Sequence, residues 1–120
     1  MNVKTDNYPG ETSWQLFNEC TGTAEKSRNL DMSNPYSAAN TNFSDEYCVP
    51  YARYTFTVYD SYGDGVCCSH GNGDYSVELG QDNNVVAQGG QFYSMESTAF
   101  GSCPQPTSNP TLQPIYILPI

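Results

Sequence analysis

Between Asp60 and Gly65 the chain reads Asp-Ser-Tyr-Gly-Asp-Gly, two carboxylates four residues apart in a loop whose glycines let the backbone fold around an ion and offer carbonyl oxygens. That donor set suits a hard, oxygen-ligated cation, and Ca2+ is the expected occupant. The spacing is not that of an EF-hand, because Tyr62 stands at the third position and Gly71 at the twelfth, where a bidentate Glu belongs. Further carboxylates are expected from Asp6 and Glu11, which flank the turn Tyr8-Pro9-Gly10, or from Asp74. The competing reading is that Asp60 and Asp64 cap turns through side-chain-to-backbone bonds.

Catalytic chemistry has little to work with. His70 is the only histidine, in a Gly-rich loop beside Ser69, where a solvated surface residue is the ordinary reading. There is no Ser-His-Asp order, no His cluster for zinc and no phosphate-cradling Gly-Lys motif, so an enzyme is not expected. Four basic residues (Lys4, Lys26, Arg28, Arg53) oppose 13 acidic ones, and the net charge of −9 provides no cationic surface for nucleic acid or an anionic leaflet. The same charge favours capture of divalent cations.

Five cysteines, Cys20, Cys48, Cys67, Cys68 and Cys103, in 120 residues point to an oxidising, extracellular setting and a disulfide-stapled fold. About 15 pairings are open on counting alone. If the chain at Cys67-Cys68 is extended, the two side chains point to opposite faces. One is then expected to reach Cys48 and the other Cys20 or Cys103. The preferred set joins Cys48 to one of the adjacent pair and Cys20 to Cys103 or to the other, leaving a fifth thiol that is buried or joined to another subunit. The first six residues hold no apolar signal-peptide core, so a secreted chain is expected to be either already processed or given without its signal peptide.

The elements that must position these residues are strands. Tyr, Gly, Pro, Ser, Thr and Asn dominate, and strong helix formers are few. Trp14 and Leu16 share a face of Thr12–Phe17, and Tyr54, Phe56 and Val58 alternate with Thr55, Thr57 and Tyr59 in Arg53–Asp60, which must be a central strand. Asp74–Leu79 alternates again, a turn at Gly80–Asn84 leads to Val85–Ala87, and Gly89-Gly90 permits a bend before Gln91–Phe100. Asn2–Thr5 is expected as a short edge strand, and residues 21–46 as a long ordered surface excursion without periodicity. Strands this short with regular turns predict an all-β, antiparallel β-sandwich or jelly-roll-like domain over residues 1–103. A Pro-rich spacer, 104–114, and an apolar strand, 115–120, follow it.

Several segments together resemble a secreted β-sandwich module. They are Asp6 to Trp14, Cys48-Val49-Pro50, Tyr54 to Cys68, Gly71 to Tyr75 and Gly89 to Phe92, which carry the pattern DNYPxETSW … YTFTxxDxYGDGxCC … GxGxY. Such modules occur in extracellular proteins of microalgae and marine bacteria, as repeats or appendages on larger chains. The resemblance covers roughly residues 3–101. It implies a β-sandwich, an extracellular role in a glycosylated filament subunit, and calcium at Asp60–Gly65; it supplies no catalytic residues.

Asn42-Phe43-Ser44 is an N-glycosylation sequon, and Thr107, Ser108 and Thr111 among prolines have the composition of an O-glycosylated stalk. Ile115, Tyr116, Ile117 and Leu118 are too few to span a bilayer. As an apolar strand on a spacer, they are expected either to return to their own sandwich or to insert into a neighbouring copy, with an early edge strand or the Trp14 strand as acceptor. Head-to-tail insertion predicts a homopolymeric extracellular fibre. The alternative is a calcium-dependent carbohydrate-binding module in which Tyr59, Tyr62 and Tyr93 grip a glycan.

Overall fold

The computed structural model describes residues 1–31, 34–68, 71–80, 84–104 and the backbone of 115–119. Twelve strands run in chain order as β1 (Asn2–Lys4), β2 (Thr12–Asn18), β3 (Thr23–Arg28), β4 (Asn42–Ser44), β5 (Glu46–Pro50), β6 (Tyr54–Asp60), β7 (Cys67–Cys68), β8 (Gly71–Asn72), β9 (Asp74–Leu79), β10 (Asn84–Gly89), β11 (Met95–Phe100) and β12 (Ile115–Pro119), with one 3-10 turn at Pro9–Glu11. Every strand pair is antiparallel. No helix among the described residues is long and apolar enough to cross a membrane.

Two four-stranded sheets make the body, one ordered β10-β9-β1-β4 and the other β11-β6-β2-β3. The apolar alternation of β2 and β6 points into the space between them. Trp14, Leu16, Phe56 and Val58 from one sheet meet Val3, Tyr75, Val77 and Ala87 from the other in one buried cluster, with the Phe56 and Tyr75 rings 5.7 Å apart across the layers. The all-β, sandwich-like reading therefore holds, and β6 is central as its pattern required, flanked by β2 and β11.

Two expectations need correction. Asn2–Lys4 is not an edge strand: β1 lies between β9 and β4 and pairs with both. Nor is 21–46 an unpaired excursion, since it contributes β3 and β4. Strand β3 is an outer strand whose side chains are largely exposed, so no burial pattern marks it. It is formed by the turn: the Asn18 side-chain oxygen accepts the Cys20 and Thr21 N–H groups at 2.9 and 3.2 Å, which closes the hairpin with β2. The rest of the segment is anchored by Tyr36, which is buried and whose hydroxyl accepts the indole N–H of Trp14 at 3.0 Å.

A disulfide joins Cys20, in the β2–β3 turn, to Cys103, just past β11. The second bridge departs from the preferred pairing. Cys67 and Cys68 are bonded to each other across a cis peptide, and Cys48 is a free, exposed thiol. The premise that failed is local: the two adjacent side chains do not go to opposite faces, since their sulfurs are bonded to one another.

Candidate metal centre and the adjoining loop pocket

Strand β6 ends at Asp60, paired in register with Thr12 at the start of β2. Because Glu11 immediately precedes Thr12, this register brings the 3-10 turn beside the Asp60 loop, and the Ser61 N–H donates to the Glu11 carbonyl at 3.0 Å. Beyond Asp60 the chain turns back at once. The Asp60 carboxylate accepts the Asp64 N–H at 2.8 Å and its carbonyl accepts the Gly63 N–H at 3.2 Å. Gly63 and Gly65 have φ of 88° and 71°, left-handed values that a side chain would resist.

The turn-capping role of Asp60 is thus real, yet it coexists with a cluster. Ligand atoms of Glu11, Asp60 and Asp64 all lie within 4.8 Å of one another. Three carboxylates at that spacing could hold a hard metal ion, which would supply the positive charge the site lacks. Of the other candidate ligands, Asp6 is buried and accepts the Tyr8 N–H at 2.8 Å, and Asp74 is exposed at the start of β9, opposite Lys4. Neither belongs to the cluster.

Burial, followed by the hydrogen bond with the Asp64 side chain, pushes the Asp60 carboxyl up to about 7, and the neighbouring charges of Asp64 and Glu11 add to the effect. The sign of the consequence follows from proton counts. In the unfolded chain this carboxyl titrates near 3.8, so between that value and about 7 the folded state holds a proton that the unfolded state has lost. In EDTA, stability is therefore expected to fall as pH rises from about 4 to 7. Asp60→Asn should flatten that part of the profile. Thermal denaturation of both proteins across the window checks this, and profiles of equal slope would refute it.

The Asp60–Cys67 segment is zipped to the β10–β11 connection. Asp60 N–H donates to the Ser94 carbonyl (2.9 Å), Gly65 N–H to Tyr93 (3.0 Å), and Val66 and Cys67 N–H both to Gly90 (3.1 and 3.0 Å). The approach is so close that a Cβ on Gly65 would run into the Phe92 and Gly90 carbonyls, and one on Gly90 into Gly73. Between the two loops lies a depression of about 560 Å³ bounded by Gly63, Asp64, Cys67, Gln91, Phe92 and Tyr93. Gln91 and Phe92 belong to the Gly89 to Phe92 motif segment, but sequence reasoning gives them no site role. The Gly89-Gly90 pair before them was the available signal, since adjacent glycines allow the close backbone contact that forms this wall.

The remaining candidates are dispersed. Asn42 is exposed on the outer strand β4. Tyr62 and Tyr93 are strongly exposed, whereas Tyr59 is half-buried within β6. His70, Thr107, Ser108 and Thr111 lie outside the described residues. Ile115 to Leu118 form β12, which pairs with β5 and opposes Ile117 to Cys48. The Trp14 strand is not its acceptor, because β2 has both ladder edges filled by β3 and β6. No family model, curated protein or solved structure matches the chain.

Proposed function

We propose that this protein is a structural subunit of an extracellular fibre or matrix, assembling head to tail by exchange of its C-terminal strand, with calcium bound at Glu11, Asp60 and Asp64. The observation that carries the reading is the pairing of β5. Among the described residues its only ladder partner is β12. Val49 of β5 is buried in the core cluster, so β5 is fixed to the body while β12 reaches it from beyond a Pro-rich segment. A spacer of this composition can extend to roughly 30 Å. A strand paired to β5 along its backbone and carried on such a tether can be supplied equally well by another copy, and the resulting contact is heterologous and propagates when its rotation does not close.

The disulfides, the excess of acidic residues and the exposed sequon at Asn42 support an oxidising, glycan-bearing environment, as does the resemblance to secreted modules. Nothing in the residue inventory calls for catalysis. Calcium acts here as a staple, binding the folded loop and not the unfolded chain; at a hundredfold excess over Kd it would add about 2.7 kcal/mol.

Deletion of residues 112–120 tests the assembly. The full chain should form linear oligomers by sedimentation and electron microscopy, and the truncated chain should remain a folded monomer by circular dichroism. Assembly that survives truncation would sink the proposal, as would a full chain that stays monomeric at every concentration. The calcium arm is read separately: calcium chloride should raise Tm in the parent and not in Asp64→Asn.

A further inference from the structure

We infer that the depression between the β6–β7 and β10–β11 loops binds a neutral saccharide, with a sugar ring stacked on Tyr93 and hydroxyl groups hydrogen-bonded to the Gln91 carboxamide, while the buried Asp64 carboxylate stays with the acidic cluster. The inference is independent of strand exchange.

Three observations lead to it. The first is that the walls are built in. Four main-chain hydrogen bonds join the two loops, and glycine at 65 lets them approach closer than any side chain permits. A cavity held this rigidly binds without first being ordered. Its volume of about 560 Å³ lies within the range of small-molecule sites.

The second is where aromatic area is left in water. Tyr36, Tyr54 and Tyr75 are buried, whereas Tyr93, which lines the depression, is 83 % exposed and Tyr62, next to the lining residue Gly63, is 74 % exposed. Tyr93 thus leaves a large ring out of the core at this cavity, apolar on the face and polar at the hydroxyl.

The third is the chemistry of the lining. Asp64 behind the wall and the net negative charge of the chain disfavour an anion, and the exposed Gln91 carboxamide disfavours a purely apolar guest. A sugar ring matches both features at once, with a C–H face for the aromatic ring and an edge of hydroxyl groups for the carboxamide. The lining carboxamide also offers N–H donors, which a quaternary ammonium ion, the other guest of aromatic-acidic sites, cannot use.

The test uses the full chain with neutral hexose oligosaccharides of differing linkage as probes, and tetramethylammonium as the cationic control. Amide chemical shifts are followed in calcium chloride and in EDTA. At least one oligosaccharide should shift the amides of Gly63, Gln91, Phe92 and Tyr93 saturably, in one or both conditions. Tyr93→Ala should weaken that binding about five- to tenfold, the size expected for one lost stacking contact. Gln91→Ala should weaken it as well, and Tyr8→Ala, at an exposed tyrosine of another turn, should not. Folding of each variant is checked by near-ultraviolet circular dichroism. Shifts confined to tetramethylammonium, no saturable shift with any oligosaccharide, or unchanged affinity in folded Tyr93→Ala would each overturn the inference.

Discussion

Trp14→Ala is expected to lower the unfolding free energy by about 4 kcal/mol, in the range measured for truncating a large buried aromatic to alanine. Trp14 is fully buried in the central strand β2, with the Phe56 ring 5.8 Å and the Tyr47 ring 6.2 Å away. Truncation would open a cavity flanked by β-strands that are paired on both edges and cannot collapse into it. It would also strip the Tyr36 hydroxyl of its buried donor. Trp14→Phe keeps most of the ring burial and loses the N–H, so it should cost about 2 kcal/mol or less. Urea denaturation followed by far-ultraviolet circular dichroism separates the two. A loss below about 1 kcal/mol for Trp14→Ala would mean that the site repacks and that the two-layer core is not as described.

The second large effect is removal of the long-range bridge. Cys20 and Cys103 are 83 residues apart in sequence, with Cα atoms 5.5 Å apart, so their bond closes a loop spanning most of the sandwich. Chain-entropy arguments assign a loop of that size about 4.5 kcal/mol. The double variant Cys20→Ser, Cys103→Ser should lose that amount by denaturant titration. Replacement of Cys67 and Cys68 by serine should lose far less, because a ring between neighbours removes little freedom from the unfolded chain. Equal losses from the two pairs would show that cross-linking does not act through the unfolded state here.

Much of the architecture was legible because burial in a two-layer sheet imposes a period of two. The alternations Trp14/Leu16 and Tyr54/Phe56/Val58 identified β2 and β6, and both face the core. Strands β3 and β4 were not legible for the opposite reason. They lie at outer positions, mostly exposed, and are defined by hydrogen bonds to a neighbour rather than by what they bury. The acidic site was partly legible. Asp60 and Asp64 are linked by loop spacing, but Glu11 joins them only through the β2–β6 register, a tertiary fact that also leaves Asp6 and Asp74 aside. The cysteine pairing was not legible because alternation along a strand sends neighbouring side chains to opposite faces, whereas Cys67 and Cys68 are bonded to each other.

Strand β3 carries Glu25, Lys26 and Arg28 along the open border of its sheet. Charges of both signs there make a poor template for stray β-rich chains, a gatekeeping device against amyloid-like stacking. A crowded population of these molecules thus has one border of the sandwich chemically discouraged from side-by-side adhesion. Any ordered polymer it forms is biased toward growth in a single direction rather than into tangled sheets.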